Sequence, residues 1–164
     1  MKMKPVIWTL FRRLTALSAL VLVATLSLTP ALASDDNSDS GKLVGAWFTQ
    51  ASIRDCKTGV VVRTFSAINT FASGGTMTDT TAAVSPALRT PGLGTWDKTH
   101  GQTYGATSLA FLFNPAGVWT GTQRLTHSIR FSGDSIEFTS TNEIFDTSGT
   151  VTTTGCATAV GHRL

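Results

Sequence analysis

Four polar side chains in the C-terminal half of the chain lie at positions where they can form a site. Gln123 and His127 share one face of an extended segment, and Ser140 and Asn142 share one face of the next, because residues two apart in a strand point the same way. The turn signal at 132–134 makes these segments antiparallel neighbours, which brings the two pairs to similar heights. Enclosed polar groups must bond to each other, to water or to a bound molecule.

His127 is the member of this group with the widest chemistry. It could contact a ligand, hold a haem or metal, act as a general base, or be hydrogen-bonded to core neighbours. Asp79, which shares a face with Met77, is a further candidate. The three histidines have no close spacing, so they predict no zinc site, and the chain has no phosphate-binding loop or nucleophile elbow.

The elements that position these residues are strands. The chain from Leu43 onwards is rich in Thr, Val, Phe and Ile, lacks helical periodicity, and is interrupted by turn residues at seven places. This pattern predicts eight strands, at 43–54, 60–71, 76–84, 94–100, 103–113, 118–131, 135–145 and 150–162.

Long strands joined by short loops form an antiparallel meander, and closing the meander removes its exposed edges. We therefore predict an all-β fold, an eight-stranded antiparallel up-and-down barrel. A β-sandwich is the alternative, although it favours shorter strands and Greek-key connections. Alternation places Trp47 inside, together with two inward rows on the sixth and seventh strands: Trp119, Gly121, Gln123, Leu125, His127, Ile129, Phe131, Ile136, Phe138, Ser140, Asn142 and Ile144.

The first 33 residues have the layout of a signal peptide. A basic stretch ends at Arg13, an uncharged apolar stretch runs over 14–28, and Ala31 and Ala33 form a small-residue cleavage pattern. An uncleaved membrane anchor is the rival interpretation. Cleavage would leave an acidic flexible tail at 34–42 and a single barrel domain at 43–164 in an exported protein, periplasmic or extracellular.

The formal net charge of +3 comes from this leader, which holds Lys2, Lys4, Arg12 and Arg13 and no acidic residue. The remainder is close to neutral and has no basic cluster interleaved with aromatic residues. We therefore expect no nucleic-acid partner, and no stable membrane anchor after cleavage.

Cys56 and Cys156 are the two cysteines of the chain. In an oxidising compartment they predict one structural disulfide that joins the first hairpin to the last strand. A reactive thiol is the alternative, since Arg54 and Lys57 flank Cys56.

The segment Gly45-Ala46-Trp47 at the start of the first strand resembles the lipocalin signature, Gly-x-Trp. In lipocalins and the wider calycin group, a basic residue near the end of the barrel packs across this tryptophan. The resemblance therefore implies a structural contact between Arg163 and Trp47. The allene oxide cyclase and dirigent proteins are a second group of eight-stranded barrels of similar length.

These features lead us to expect a lipocalin-like barrel that binds a small hydrophobic molecule in its interior, without a cofactor or metal. Two alternatives stay open: an isomerase or cyclase of the allene oxide cyclase or dirigent type, with His127 and Asp79 transferring protons, and a packed barrel acting as a structural or interaction module. The residues expected to line the ligand site are Trp119, Gln123, His127, Phe138 and Asn142.

Overall fold

A computed structural model describes residues 43–164, so the predicted signal peptide and acidic tail lie outside the described residues. The described chain folds into eight strands: β1 (Gly45–Arg54), β2 (Val61–Ala72), β3 (Thr76–Thr81), β4 (Gly92–His100), β5 (Thr103–Phe113), β6 (Trp119–Ser132), β7 (Ser135–Phe145) and β8 (Val151–Arg163).

Each strand pairs antiparallel with the next, and β1 pairs with β8 to close the barrel. The closing ladder runs from Trp47 opposite Arg163 to Arg54 opposite Cys156. The predicted eight-stranded up-and-down barrel is confirmed, and the sandwich alternative is wrong. No helix among the described residues is long and apolar enough to cross a membrane.

The strand ends differ from the prediction mainly between β3 and β4. The prediction extended the third strand to residue 84, whereas β3 ends at Thr81, where its ladder with β2 ends; its ladder with β4 stops earlier, where Asp79 faces Gly92. Residues 82–91 therefore leave the sheet as a loop, and this loop contributes to the barrel interior as described below.

One half of the barrel interior is packed solid. The residues that fill it come from the beginning of β1, β3, β5 and β7 and the end of β2, β4 and β6, so they all lie toward one end of the barrel. We call this end the closed end, and its buried core consists of Leu43, Trp47, Phe71, Met77, Trp96, Tyr104, Ala106, Ile129, Phe131, Ile136 and Phe138. Edge-to-face contacts such as Phe71 on Trp96, with ring centroids 6.0 Å apart, stabilise it beyond area burial.

Trp47 and Arg163 lie in contact at the closed end, as the resemblance implied. The guanidinium carbon of Arg163 is 4.3 Å from the centroid of the Trp47 ring, and Nη1 donates to the Val44 carbonyl over 2.7 Å. Gly45 has a φ of 134°, and a Cβ there would lie 2.6 Å from Nη1 of Arg163. The glycine of Gly-x-Trp thus leaves room for the arginine that covers the tryptophan.

The predicted disulfide between Cys56 and Cys156 is present, with Cα atoms 5.2 Å apart. Cys56 lies in the β1–β2 loop and Cys156 on β8. The bond therefore ties a loop to the barrel wall at the end opposite the packed core.

Candidate functional site

The half of the barrel opposite the closed end encloses a cavity of about 220 Å³. Arg63 and Ile53 line this cavity and are also exposed, so it reaches the surface at what we call the open end. The loops 55–60, 82–91, 114–118 and 146–150 connect the strands at this end. Most of the lining surface is apolar, and twelve of the lining residues have no hydrogen-bonding side chain: Ala51, Ile53, Phe65, Ala67, Ala83, Val84, Leu125, Phe138, Gly155, Cys156, Ala157 and Ala159.

The cavity exists because adjacent strands carry alanines, and not large side chains, at inward positions in this half of the barrel. Ala51 of β1 pairs with Ala159 of β8 on one side and with Phe65 of β2 on the other. A cavity of roughly 150 Å³ with apolar walls is large enough to hold benzene. The volume here suits a molecule with one ring or a short branched chain.

The polar residues predicted from β6 and β7 meet on the cavity wall. His127 lies directly opposite Ser140 in the ladder, and its Nδ1 is 2.7 Å from the Ser140 hydroxyl oxygen. Gln123 donates from Nε2 to the Asn142 side-chain oxygen over 2.7 Å. The two strands therefore bring together the four side chains that alternation and the turn predicted.

Asp79 joins this group through a partner that the sequence analysis did not identify. Arg89 donates from Nη2 to one carboxylate oxygen of Asp79 over 2.6 Å, and Ser108 donates its hydroxyl to the other over 2.7 Å. Nε of Arg89 donates to the Gln123 side-chain oxygen over 2.5 Å. A continuous polar network thus crosses the cavity wall from Ser108 to Asn142.

Arg89 was missed because it lies in the loop 82–91, where a charged residue is ordinarily solvated. Its backbone bridges to Leu112, and the neighbouring Thr90 amide donates to the Phe111 carbonyl, so this part of the loop continues the sheet edge along β5. A signal was available in Asp79, since an acidic side chain on an inward face needs a buried cation. Arg89 is the nearest arginine to it in the chain.

His127 is the buried titratable residue of the site, with 8% of its surface exposed. Burial lowers its pKa to about 4 because the charged imidazolium loses its hydration, while the Asp79 carboxylate acts weakly in the opposite direction. The ring is therefore neutral at pH 7. Its Nε2 atom has no hydrogen-bond partner among residues 43–164, although the residue lines the cavity.

Phe138 lies where it was expected, on the cavity wall, with its ring centroid 5.5 Å from that of His127. Trp119 does not, and its prediction as an inward residue is wrong. It is 44% exposed, packs edge-to-face on the outward Phe111, and does not line the cavity.

A β-bulge explains the position of Trp119. Leu112 pairs with Gly121, but the next residue, Phe113, pairs with Trp119, so Thr120 is an extra residue in β6. One inserted residue reverses the alternation. Trp119 consequently shares the outer face with Phe111 and Phe113, while Gln123 and His127 beyond the bulge keep the inward face.

Comparison with known proteins identifies no relative: no family model, curated protein or solved structure matches this chain. Within the described part of the chain, no three His, Cys, Asp or Glu side chains are grouped so that they could hold a metal ion. The polar groups of the site are thus a neutral imidazole, the Asp79–Arg89 ion pair, the Arg63 guanidinium, three amides and several hydroxyls, around a mainly apolar cavity.

Proposed function

We propose that this protein is an exported, lipocalin-like barrel that binds one small, mainly apolar molecule in the cavity at its open end. The observation that carries the proposal is the cavity of about 220 Å³, with mostly small or apolar walls, inside an otherwise packed barrel. Well-packed domains contain few voids larger than a water molecule, so an apolar space of this size supports occupancy by a ligand. The disulfide supports export.

The polar residues of the lining would orient a bound ligand. Because Asp79, Arg89, Gln123 and Asn142 bond to one another, they form a fixed polar wall without a ligand. Nε2 of His127 has no partner in residues 43–164, so it offers a hydrogen bond to one polar group of a bound molecule. A buried unpaired polar atom is unfavourable, and pairing it adds to affinity.

The two alternative functions have less support. A barrel acting only as a packed module requires a filled interior, whereas this interior contains a cavity of about 220 Å³. An isomerase needs a general base whose pKa lies near the working pH, and burial lowers the pKa of His127 to about 4. Binding is therefore the function that this geometry favours.

Filling the cavity tests the proposal. Ala157 faces the cavity from β8, and Val160, on the outer face of the same strand, is 58% exposed. Ala157→Phe places a phenyl ring where the ligand would lie, while Val160→Phe adds the same ring outside the barrel. Binding of benzyl alcohol and indole to wild type and both variants is measured by ligand-observed NMR and calorimetry.

We expect binding to wild type and to Val160→Phe, and a loss of at least about tenfold in Ala157→Phe, equal to about 1.4 kcal/mol. Circular dichroism establishes that each variant is folded. If Ala157→Phe does not fold, Ala67→Leu narrows the same cavity with a smaller side chain. Equal binding by all variants, or no binding of any aromatic probe to wild type, neutral or anionic, overturns the proposal.

A further inference from the structure

Three charged side chains line the cavity: Arg63, Asp79 and Arg89. Asp79 and Arg89 neutralise each other in their ion pair. His127, the remaining titratable side chain of the lining, is neutral at pH 7. The charge left uncompensated in the lining is therefore one positive charge, that of Arg63.

Arg63 lies at the open end, near the start of β2. Its Nη2 donates to the Ala83 carbonyl over 3.0 Å, and Ala83 belongs to the 82–91 loop and also lines the cavity. Among the described residues Arg63 makes no other side-chain hydrogen bond and no ion pair. Its guanidinium is thus held at the edge of the cavity with donors available to a further acceptor, since arginine carries five N–H groups.

Arg89 adds a second set of donors deeper in the site. Its side chain is 4% exposed, and three of its N–H groups are used by Gln123, Thr90 and Asp79. The lining therefore combines the cationic donors of Arg63 at the open end with apolar side chains that include Leu125, Phe138 and Ala157.

We propose that the ligand is a small monoanionic organic acid, with its apolar body in the cavity and its carboxylate at Arg63. This inference rests on the proposed binding function and names the chemical class of its ligand. A carboxylate accepts paired N–H bonds from a guanidinium, and charge-assisted bonds are stronger than neutral ones. A cationic ligand would face an uncompensated arginine, and the cavity volume excludes a long-chain fatty acid.

Matched probes test the inference. Benzoate, benzenesulfonate, benzamide and benzyl alcohol share one ring and differ in the head group, so their relative affinities isolate the charge and its geometry. Affinities are measured by calorimetry at low and high salt for wild type, Arg63→Gln and Arg130→Gln. Arg130 is the control because it is an exposed arginine on the outer face of β6.

We expect benzoate to bind wild type more tightly than benzamide or benzyl alcohol. Arg63→Gln should lower the ratio of benzoate affinity to benzyl alcohol affinity about three- to fivefold, the range for an exposed ion pair. Added salt should reduce that ratio in wild type. Arg130→Gln should leave the ratio unchanged.

The outcomes separate the two proposals. If benzyl alcohol binds wild type as tightly as benzoate does, the proposal that the ligand is an acid is overturned. The same holds if the ratio of benzoate affinity to benzyl alcohol affinity is unchanged in Arg63→Gln. In both cases the proposal of binding in the cavity stands. If benzenesulfonate binds more tightly than benzoate, the head group of the ligand is not a carboxylate but another group with a single negative charge. If none of the four probes binds wild type, both the acid and the proposed binding function fail.

Discussion

Arg89 and Asp79 form an ion pair inside the barrel, with 2.6 Å between Nη2 and a carboxylate oxygen and side chains only 4% and 6% exposed. The pair joins the 82–91 loop to β3. Gly92 makes it possible, because a Cβ at that position would overlap the Asp79 carboxylate. The loop at the open end is thus anchored from within the cavity.

Removing one partner of this pair should destabilise the fold strongly. Asp79→Asn leaves the Arg89 charge buried without compensation, and we expect a loss of about 3–5 kcal/mol in the free energy of unfolding. Arg89→Met should cost a similar amount. The double variant Asp79→Asn/Arg89→Met should lose clearly less than the two single losses combined, as measured by urea unfolding. Additive losses would show that the two charges do not interact.

His127 should make stability depend on pH in a defined window. The unfolded chain takes up a proton at this residue below pH 6.5, whereas the folded protein does so only near pH 4, because burial lowers the pKa. The free energy of unfolding should therefore fall as pH decreases from about 6.5 to about 4, by roughly 3 kcal/mol.

Urea unfolding of wild type and His127→Gln across this window checks the expectation. The stability difference between the two should shrink towards low pH, while His100→Gln, which replaces an exposed histidine, should follow wild type. Hydrogen bonds from Thr58 and Ser148 lower the pKa of the exposed Asp55 and Asp146, and the acid dependence that these aspartates add is common to wild type and His127→Gln, so it cancels in the difference. Parallel pH curves for wild type and His127→Gln would contradict the assignment.

The disulfide should contribute strongly to stability because it closes a loop of 100 residues. The chain-entropy model predicts about 4–5 kcal/mol for such a loop. We expect the variant Cys56→Ser/Cys156→Ser to melt on the order of 10–20 °C lower than wild type in calorimetry. A melting temperature equal to that of wild type would rule out this role, and reduction of wild type with a thiol should reproduce the decrease.

The two tryptophans Trp47 and Trp119 should differ widely in their effect on stability. Trp47 is fully buried under Arg163 and donates from Nε1 to the Leu43 carbonyl, so Trp47→Ala should cost about 3–5 kcal/mol. Trp119 is 44% exposed on the outer face, and Trp119→Ala should cost about 1 kcal/mol or less. Comparable losses in denaturant unfolding would place Trp119 in the core and contradict the bulge.

Much of the barrel could be predicted from local sequence signals. Strand alternation and turn residues determined the number of strands and the inward faces of β6 and β7, because side-chain direction in a strand follows from the covalent geometry of the chain. The same rules brought Gln123 and His127 to the height of Ser140 and Asn142, since a short turn sets the register of a hairpin, and the structure added which side chains bond to each other.

The remaining features depended on the tertiary structure. The Thr120 bulge follows from how β6 fits its neighbours around a closed barrel, and it alone decided that Trp119 points outward. Arg89 enters the interior because a loop residue pairs with a carboxylate on another strand, a contact without periodicity in the sequence. The cavity is likewise a volume between side chains from several strands, and alternation reports which residues face inward but not how completely they fill the space between them.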